Sequence, residues 1–129
     1  MIVFFGDHQP AISNDFFNTL AGASANAYES TIKKFIVPFF IWTNYDTTEE
    51  QVPLTSLNYL STIMMRRAGI GLNEYFSFIE ETMKELPAIS FHGYQTTDLE
   101  KINHVSWAEG RDKEIINIYN IVQYYNMFN

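Results

Sequence analysis

The sequence predicts an α/β fold in which a sheet of few strands packs with about four helices. Three short runs, residues 1–6, 36–43 and 88–91, are rich in β-branched and aromatic side chains and are bounded by residues that favour turns. Residues 57–68 and 73–86 instead repeat apolar side chains at the spacing of a helix face. Strand-like runs interleaved with helical segments are typical of layered α/β proteins.

Length and composition are those of one globular domain spanning residues 1–129. Apolar residues make up 47% of the chain and charged residues 18%, which allows a buried core and excludes a disordered chain. The formal charge of −7 leaves few cations to neutralise a phosphate backbone, so we expect no nucleic-acid partner. The chain has no cysteine, which excludes disulfide and thiolate chemistry. No apolar run reaches the roughly 20 residues that cross a bilayer.

The first predicted strand, residues 1–6, is apolar up to its final Gly6. Such strands are usually buried on both faces, in the middle of a parallel sheet. Two or three strands also fall short of the roughly five strands of an average sheet. We therefore expect this sheet to need neighbours, either the remainder of a larger domain or a second copy paired along an exposed edge.

The segment after this strand predicts a short helix and then the second strand. Ser13 is suited to cap a helix over residues 14–20, and Gly22 can end it. The second strand covers residues 36–43. Pro38 lacks a backbone donor, so we expect it near the start of that strand or on an edge.

The later helices are delimited by capping residues. Ser56 is predicted to cap the first of them and Gly69 to follow its end. Asn73 begins the next helix, which ends before Pro87, and Asp112 is predicted to cap the last. The predicted core faces are Leu57, Leu60, Met64 and Ala68, then Phe76, Ile79, Met83 and Leu86, and finally Ile115, Ile118, Val122 and Tyr125.

Asp7 and His8 come directly after the first strand and its Gly6. In open α/β sheets ligands bind beyond the carboxyl ends of strands. Carboxylate oxygen and imidazole nitrogen are ligands for divalent cations such as Mn²⁺, Mg²⁺ or Zn²⁺. We expect Gly6 to leave room for an ion or a phosphate near the backbone. The sequence thus nominates Asp7 and His8 as metal ligands, with a simple loop or cap pair as the alternative.

These residues also carry a resemblance to a known family. The segment IVFFGDHQP, residues 2–10, resembles the last metal-ligand motif of the lipoteichoic acid synthase family, a phosphoglycerol transferase branch of the sulfatase and alkaline phosphatase superfamily. KFIVPFFIWTNYD, residues 34–46, is similar to the family's Pro-Phe-x-x-Trp-x-Asn-Tyr strand, and residues 57–86 resemble the two helices that follow. Residues 119–128 resemble a terminal segment ending Gln-Tyr-Asp-x-x-Phe, with Tyr125 in place of the Asp.

The resemblance implies a C-terminal fragment of an alkaline-phosphatase-like catalytic domain. In the family, membrane helices, a nucleophilic Thr and a Glu ligand lie upstream of this motif, and none of them precedes Met1. Asp7 and His8 are then half of a metal site, with Mn²⁺ as the first expectation and Mg²⁺ or Zn²⁺ as alternatives. The implied partners are the remainder of the catalytic domain and a lipid or polymer phosphoester. The implied parent is membrane-anchored, with its catalytic domain outside the cytoplasmic membrane.

Other polar residues have less specific settings. His92 and His104 lie in a segment, residues 92–110, that we expect to be irregular, and surface or capping roles suit both. Trp42 suits core packing, and Arg66 with Arg67 suits a solvated helix face better than a phosphate clamp. The threonines match no part of the family's nucleophile motif, so the sequence nominates no catalytic residue, and substrate-binding residues stay unassigned.

Three functions follow from these observations. The first is a fragment of a metal-dependent phosphoglycerol transferase or sulfatase-like enzyme, acting on phosphate or sulfate esters of the cell envelope and inactive alone. The second is a non-catalytic binding module that docks through aromatic surface. The third is a small metalloprotein in which His92 or His104 completes the site.

Overall fold

A computed structural model describes residues 1–21, 32–98 and 102–128. The chain forms two compact units, Met1–Asp46 and Thr47–Asn129. Both units combine helices with a small antiparallel sheet, so the fold is mixed α and β. The assignment of the whole chain to one domain stays a prediction.

The first unit is built on two paired strands. Strand β1, Ile2–Phe5, lies antiparallel to β2, Phe39–Trp42, with Phe4 opposite Phe40. The rings of this pair stack with centroids 5.2 Å apart. Pro38 directly precedes β2, which confirms its predicted place at the strand start.

The expected parallel, doubly buried environment of β1 is wrong. Among the described residues β1 pairs with β2 alone, and antiparallel. Side chains of one strand alternate between the two faces of a sheet, so one face carries every second residue of both strands. One face of this ladder is exposed at all four of its positions, Ile2, Phe4, Phe40 and Trp42. The core role expected for Trp42 is therefore also wrong.

A short helix follows β1, as predicted. Helix α1 covers Asn14–Ala21, and Ser13 Oγ accepts a hydrogen bond from the Phe16 backbone N–H at 3.3 Å. Phe17 is buried, whereas Phe16 and Leu20 are exposed, so the helix buries a narrower face than predicted. The predicted end at Gly22 lies outside the described residues.

The second unit begins with a single 3₁₀ turn, Leu57–Tyr59, that leads into helix α2, Leu60–Arg67. Gly69, with φ of 69°, ends α2 in the left-handed conformation that glycine adopts readily. Its N–H donates to Arg66 and that of Ile70 to Met65, which is the Schellman arrangement. The buried residues of this segment are Tyr59, Leu60 and Thr62. Of the predicted core stripe, Leu60 is buried and Met64 and Ala68 are half-buried, so the prediction is wrong only at Leu57, which is 55% exposed.

Helix α3, Glu74–Glu85, begins where the sequence predicts it. The Asn73 side chain accepts a hydrogen bond from the Phe76 N–H at 2.9 Å and so caps the first turn. The helix ends before Pro87, as expected, and buries Ile79 and Thr82.

A three-stranded antiparallel sheet follows, in the order β3, β4, β5. Its strands are Ala88–Ile89, Tyr94–Gln95 and Ile102–Asn103. The sequence predicted β3, whereas β4 and β5 lie in the segment expected to be irregular. Ser56 precedes the Leu57–Tyr59 turn, but the predicted side-chain cap is wrong, since Ser56 makes no capping hydrogen bond. Its Oγ instead donates to the Ile89 carbonyl at 2.6 Å and accepts from the Ile89 N–H at 2.5 Å.

Helix α4, Gly110–Phe128, completes the second unit. It starts at Gly110, so Asp112 lies inside the first turn and the predicted cap position is wrong. Its buried residues are Ile115, Ile116 and Tyr119. The predicted core face is wrong at Ile118 and Tyr125, which are exposed. The buried core of the unit is formed by Tyr59, Ile79, Leu86, Ile89, Tyr94, Ala108, Ile115, Ile116 and Tyr119.

None of the helices in the described part of the chain combines the length and apolar character that crossing a bilayer requires.

Candidate functional site

The predicted ligand pair lies at the point where β1 ends. The Gly6 N–H donates to the Pro38 carbonyl at 3.0 Å and extends the pairing with the β2 side by one residue. Asp7 and His8 then leave the ladder, with side chains that are 81% and 77% exposed. Their position at the strand end agrees with the sequence prediction, and both side chains are accessible to a ligand from solvent.

The two side chains face each other. His8 Nε2 lies 3.5 Å from Asp7 Oδ2, which is longer than the usual N–H···O distance. The other carboxylate oxygen, Oδ1, accepts the His8 backbone N–H at 2.8 Å. Asp7 is therefore fixed through one oxygen and presents the second toward the imidazole.

The proton position on the His8 ring follows from its second contact. His8 Nδ1 lies 2.8 Å from the Gln9 carbonyl oxygen, which can only accept a hydrogen bond. In the neutral ring, a hydrogen on Nδ1 satisfies this carbonyl and leaves the lone pair on Nε2, the nitrogen that faces Asp7 Oδ2. A ring N–H bound to a backbone carbonyl, with the other nitrogen free to ligate, is the usual arrangement of metal-binding histidines.

The distance between the two side chains can be compared with the spacing of two ligands on one ion. Two ligands about 2.1 Å from a tetrahedral ion lie about 3.4 Å apart. Adjacent ligands of an octahedral ion lie about 3.0 Å apart. The observed 3.5 Å between His8 Nε2 and Asp7 Oδ2 suits the first geometry directly and the second after a small closing movement of two exposed side chains. The donor set of one carboxylate and one imidazole suits Mn²⁺, Mg²⁺ or Zn²⁺.

The loop that bears the pair is held against the chain that precedes β2. A Cβ built on Gly6 would lie 3.0 Å from Val37 Cβ. The space expected to receive an ion or a phosphate at Gly6 is thus taken by Val37, and the role predicted for this glycine is wrong. The glycine instead allows its backbone to pack closely against the Val37 side chain.

Gln9 strengthens the same attachment. Its side-chain Nε2 donates to the Lys33 carbonyl at 3.0 Å and to the Ile36 carbonyl at 2.6 Å. Gln9 was not among the residues that the sequence predicted to act at the site. The signal that could have identified it is its position directly after Asp7 and His8. The peptide carbonyl of the residue after a ligating histidine can reach the ring nitrogen that does not bind the metal.

The other histidines have structural contacts. His104 begins a 3₁₀ turn, Val105–Trp107, and its Nδ1 accepts the Ser106 backbone N–H at 3.1 Å, which confirms a capping role. His92 lies in the turn between β3 and β4, where its N–H donates to Ser90 Oγ. Both histidines belong to the second unit, whereas Asp7 and His8 belong to the first.

Arg66 and Arg67, for which the sequence favoured a helix surface over a phosphate clamp, both form ion pairs. Arg66 binds Glu80 through two hydrogen bonds, and Arg67 binds Glu50. Arg67 also donates to the Thr48 carbonyl at 3.0 Å. These contacts tie α2 to its surroundings, in agreement with a structural role on a helix surface.

Within residues 1–21, 32–98 and 102–128, no group of three or more His, Asp or Glu side chains is arranged to hold a metal ion. Asp7 and His8 alone therefore supply two ligands, which is fewer than a tight site needs. Comparison with protein-family models, with curated proteins and with solved structures finds no match.

Proposed function

We propose that this chain is the C-terminal part of an alkaline-phosphatase-like, sulfatase-type catalytic domain. The parent belongs to the phosphoglycerol transferase branch or to a related hydrolase, and acts on phosphate or sulfate esters in cell-envelope glycerolipid or polymer synthesis. The observation that supports the proposal is the orientation of the Asp7 and His8 side chains. Asp7 Oδ2 and His8 Nε2 lie 3.5 Å apart at a strand end, in the motif that resembles the family's.

Asp7 and His8 would hold one divalent cation, Mn²⁺ first and Mg²⁺ or Zn²⁺ as alternatives. When bound, such an ion polarises a phosphoryl oxygen and lowers the pKa of the attacking hydroxyl. Asp7 supplies negative charge against the cation. His8 supplies a neutral nitrogen whose orientation is set by the Gln9 carbonyl.

The remainder of the catalytic domain would supply the further ligands and the nucleophilic hydroxyl. In this proposal the parent is anchored in the membrane with its catalytic domain outside, and it takes a lipid or polymer phosphoester. The acidic character of the chain, with a formal charge of −7, is consistent with a partner other than nucleic acid.

An assay of the purified chain tests this function. With Mn²⁺ and either phosphatidylglycerol vesicles or nitrophenyl esters of phosphate and sulfate, we expect weak metal binding without turnover, because two ligands and no nucleophile are assigned. Metal binding should be lost in both Asp7→Ala and His8→Ala. Turnover by the chain alone that disappears in Asp7→Ala would contradict the half-site proposal and favour a self-contained enzyme.

A second candidate is a non-catalytic binding module, which the exposed face of the β1–β2 ladder favours. Its four apolar side chains are Ile2, Phe4, Phe40 and Trp42. Contiguous exposed apolar surface of this kind often marks an interaction site. Partner binding distinguishes the two functions. A binding module should keep its partner in Asp7→Ala and in His8→Ala and bind it more weakly in Phe40→Ser, whereas the half-site proposal expects the two ligand substitutions to abolish metal binding.

A further inference from the structure

Gln9, the residue after Asp7 and His8, forms hydrogen bonds through both its side chain and its backbone carbonyl. The Gln9 side chain uses Nε2 to donate to the carbonyls of Lys33 and Ile36, at 3.0 and 2.6 Å. An amide nitrogen carries two hydrogens, so both are engaged. Gln9 therefore joins the loop after β1 to the segment before β2.

The backbone carbonyl of Gln9 accepts the hydrogen on His8 Nδ1 at 2.8 Å. This contact selects the tautomer in which Nε2 has the lone pair, and Nε2 lies 3.5 Å from Asp7 Oδ2. The ring itself is 77% exposed, so little packing holds it in place. Its orientation depends on the carbonyl of a peptide whose own side chain is fixed.

We propose that Gln9 is the positioning residue of the Asp7 and His8 pair. By fastening its side chain to two carbonyls, it fixes the peptide oxygen that sets the tautomer and the direction of the His8 ring. The inference rests on the proposed function only in taking the occupant of Nε2 to be a divalent cation. An aliphatic side chain at position 9 has no hydrogen-bond donor for the two carbonyls. A carboxylate has only acceptor oxygens, which the two carbonyl oxygens would repel.

The first test needs no metal. Long-range ¹H–¹⁵N spectra at about pH 8.5, where an ordinary imidazole is neutral, report which ring nitrogen carries hydrogen. His104 provides an internal reference of opposite kind, because its Nδ1 accepts from the Ser106 N–H and its hydrogen is therefore on Nε2. We expect His8 to show the Nδ1–H tautomer and His104 the Nε2–H tautomer. The Nε2–H tautomer at His8 in the wild-type chain would overturn the proposal.

The second test removes the donor. Gln9→Met keeps the length of the side chain but removes the amide N–H donors. Gln51→Met makes the same change at an exposed position. We expect the Nδ1–H fraction of His8 to fall in Gln9→Met and Mn²⁺ to bind roughly tenfold to a hundredfold more weakly, the usual effect of losing a ligand's supporting contact. Gln51→Met should match the wild type in both measurements.

The outcomes separate the two proposals. If His8 has the expected tautomer and Gln9→Met changes it, but Mn²⁺ perturbs neither Asp7 nor His8, the metal proposal fails and the positioning role stands. If Mn²⁺ binds equally to the wild type and to Gln9→Met with the same tautomer, the positioning role fails and the metal proposal stands.

A measurement on the wild type covers the case in which Gln9→Met does not fold. Hydrogen exchange of the Gln9 side-chain amide should be slowed relative to that of Gln51, because both Gln9 hydrogens are bonded to carbonyls. Equal exchange at the two side chains would overturn the proposal.

Discussion

Arg66 of α2 and Glu80 of α3 form a two-pronged ion pair. Arg66 Nε donates to Glu80 Oε1 at 2.5 Å, and one of its terminal nitrogens donates to Oε2 at 2.6 Å. The planar guanidinium matches the carboxylate in this arrangement, which lysine could not reproduce. Glu80 and Lys84 lie four residues apart on α3, a spacing that favours an ion pair along a helix. Lys84 instead donates to Glu81 at 2.5 Å, so the carboxylate of Glu80 is left to join two helices.

This pair predicts a specific loss of stability in acid. The hydrogen bond from Arg66 holds the pKa of Glu80 below its ordinary value of 4.5. A carboxyl group whose pKa is lower in the folded state stabilises the fold at pH values above its ordinary pKa. This stabilisation is lost as the pH falls through the pKa that the group has in the folded state. In urea titrations we expect Glu80→Gln to be less stable than the wild type at pH 7 and to converge with it in acid. Glu85→Gln controls for the loss of one charge. A constant difference between the Glu80→Gln and wild-type curves at every pH would contradict the assignment.

The end of α2 predicts a matched pair of glycine variants. Gly69 has φ of 69° and no atom within 4 Å of a built Cβ, whereas Gly71 has the same open surroundings without positive φ. Gly69→Ala should destabilise the second unit by about 1–2 kcal/mol, the cost of a left-handed alanine. Gly71→Ala should be close to neutral. Urea unfolding in a Trp42→Phe background follows Trp107, which lies in this unit. Equal effects of the two substitutions would contradict the Schellman geometry.

A Cβ at position 6 should disturb the ligand loop. Gly6→Ala brings a methyl group against Val37, and overpacking of this kind typically costs about 1–3 kcal/mol. Because the nearest atom is Val37 Cβ at 3.0 Å, Val37→Ala should not relieve the strain and Val37→Gly should. Fluorescence of Trp42 in a Trp107→Phe background reports the first unit. Full relief by Val37→Ala would mean that the contact lies with the outer methyl groups instead.

The buried hydroxyl of Tyr59 predicts a further loss of stability. Tyr59 is 0% exposed and donates to the Leu86 carbonyl at 3.0 Å. Burial raises the pKa of Tyr59 above the ordinary value, and the neighbouring Tyr119 is a second cause. The contribution of Tyr59 to the free energy of unfolding is therefore complete below about pH 10 and declines as the pH rises further. Tyr59→Phe should cost about 1–2 kcal/mol at pH 7 and weaken the alkaline loss. The exposed Tyr124→Phe serves as the control, and equal effects of the two variants would argue against the buried hydrogen bond.

Local signals were predictable because their causes lie within a few residues. Ser13 and Asn73 cap helices with their own side chains, and Gly69 adopts the conformation that ends α2. A capping residue needs only the next turn of the helix to act. The proximity of the Asp7 and His8 side chains was predictable for the same reason, since the two residues are adjacent in the chain.

The buried faces of the helices were harder to predict. Helix α4 has isoleucine at positions 115, 116, 118 and 121, so apolar side chains point in several directions and periodicity does not select one. Packing against the rest of the unit selects Ile115, Ile116 and Tyr119. Strands β4 and β5 are only two residues long, too short for alternation to show.

The support of the ligand pair could not be predicted from local sequence. Gln9 contacts carbonyls that lie 24 and 27 residues further along the chain, and such distances are set by tertiary pairing rather than by pattern. The role predicted for Gly6 was wrong for the same reason, because the neighbour that fills the space beside it, Val37, lies on a distant part of the chain.

We propose above that Asp7 and His8 together bind one divalent cation. Stepwise addition of Mn²⁺ to the ¹⁵N-labelled chain tests it most directly, because the ion broadens resonances only in its vicinity. We predict that broadening begins at residues 7–9 and is abolished equally by Asp7→Asn and by His8→Gln, with His92→Gln as the control. Broadening that centres on acidic residues elsewhere, or that survives either substitution, would contradict the account.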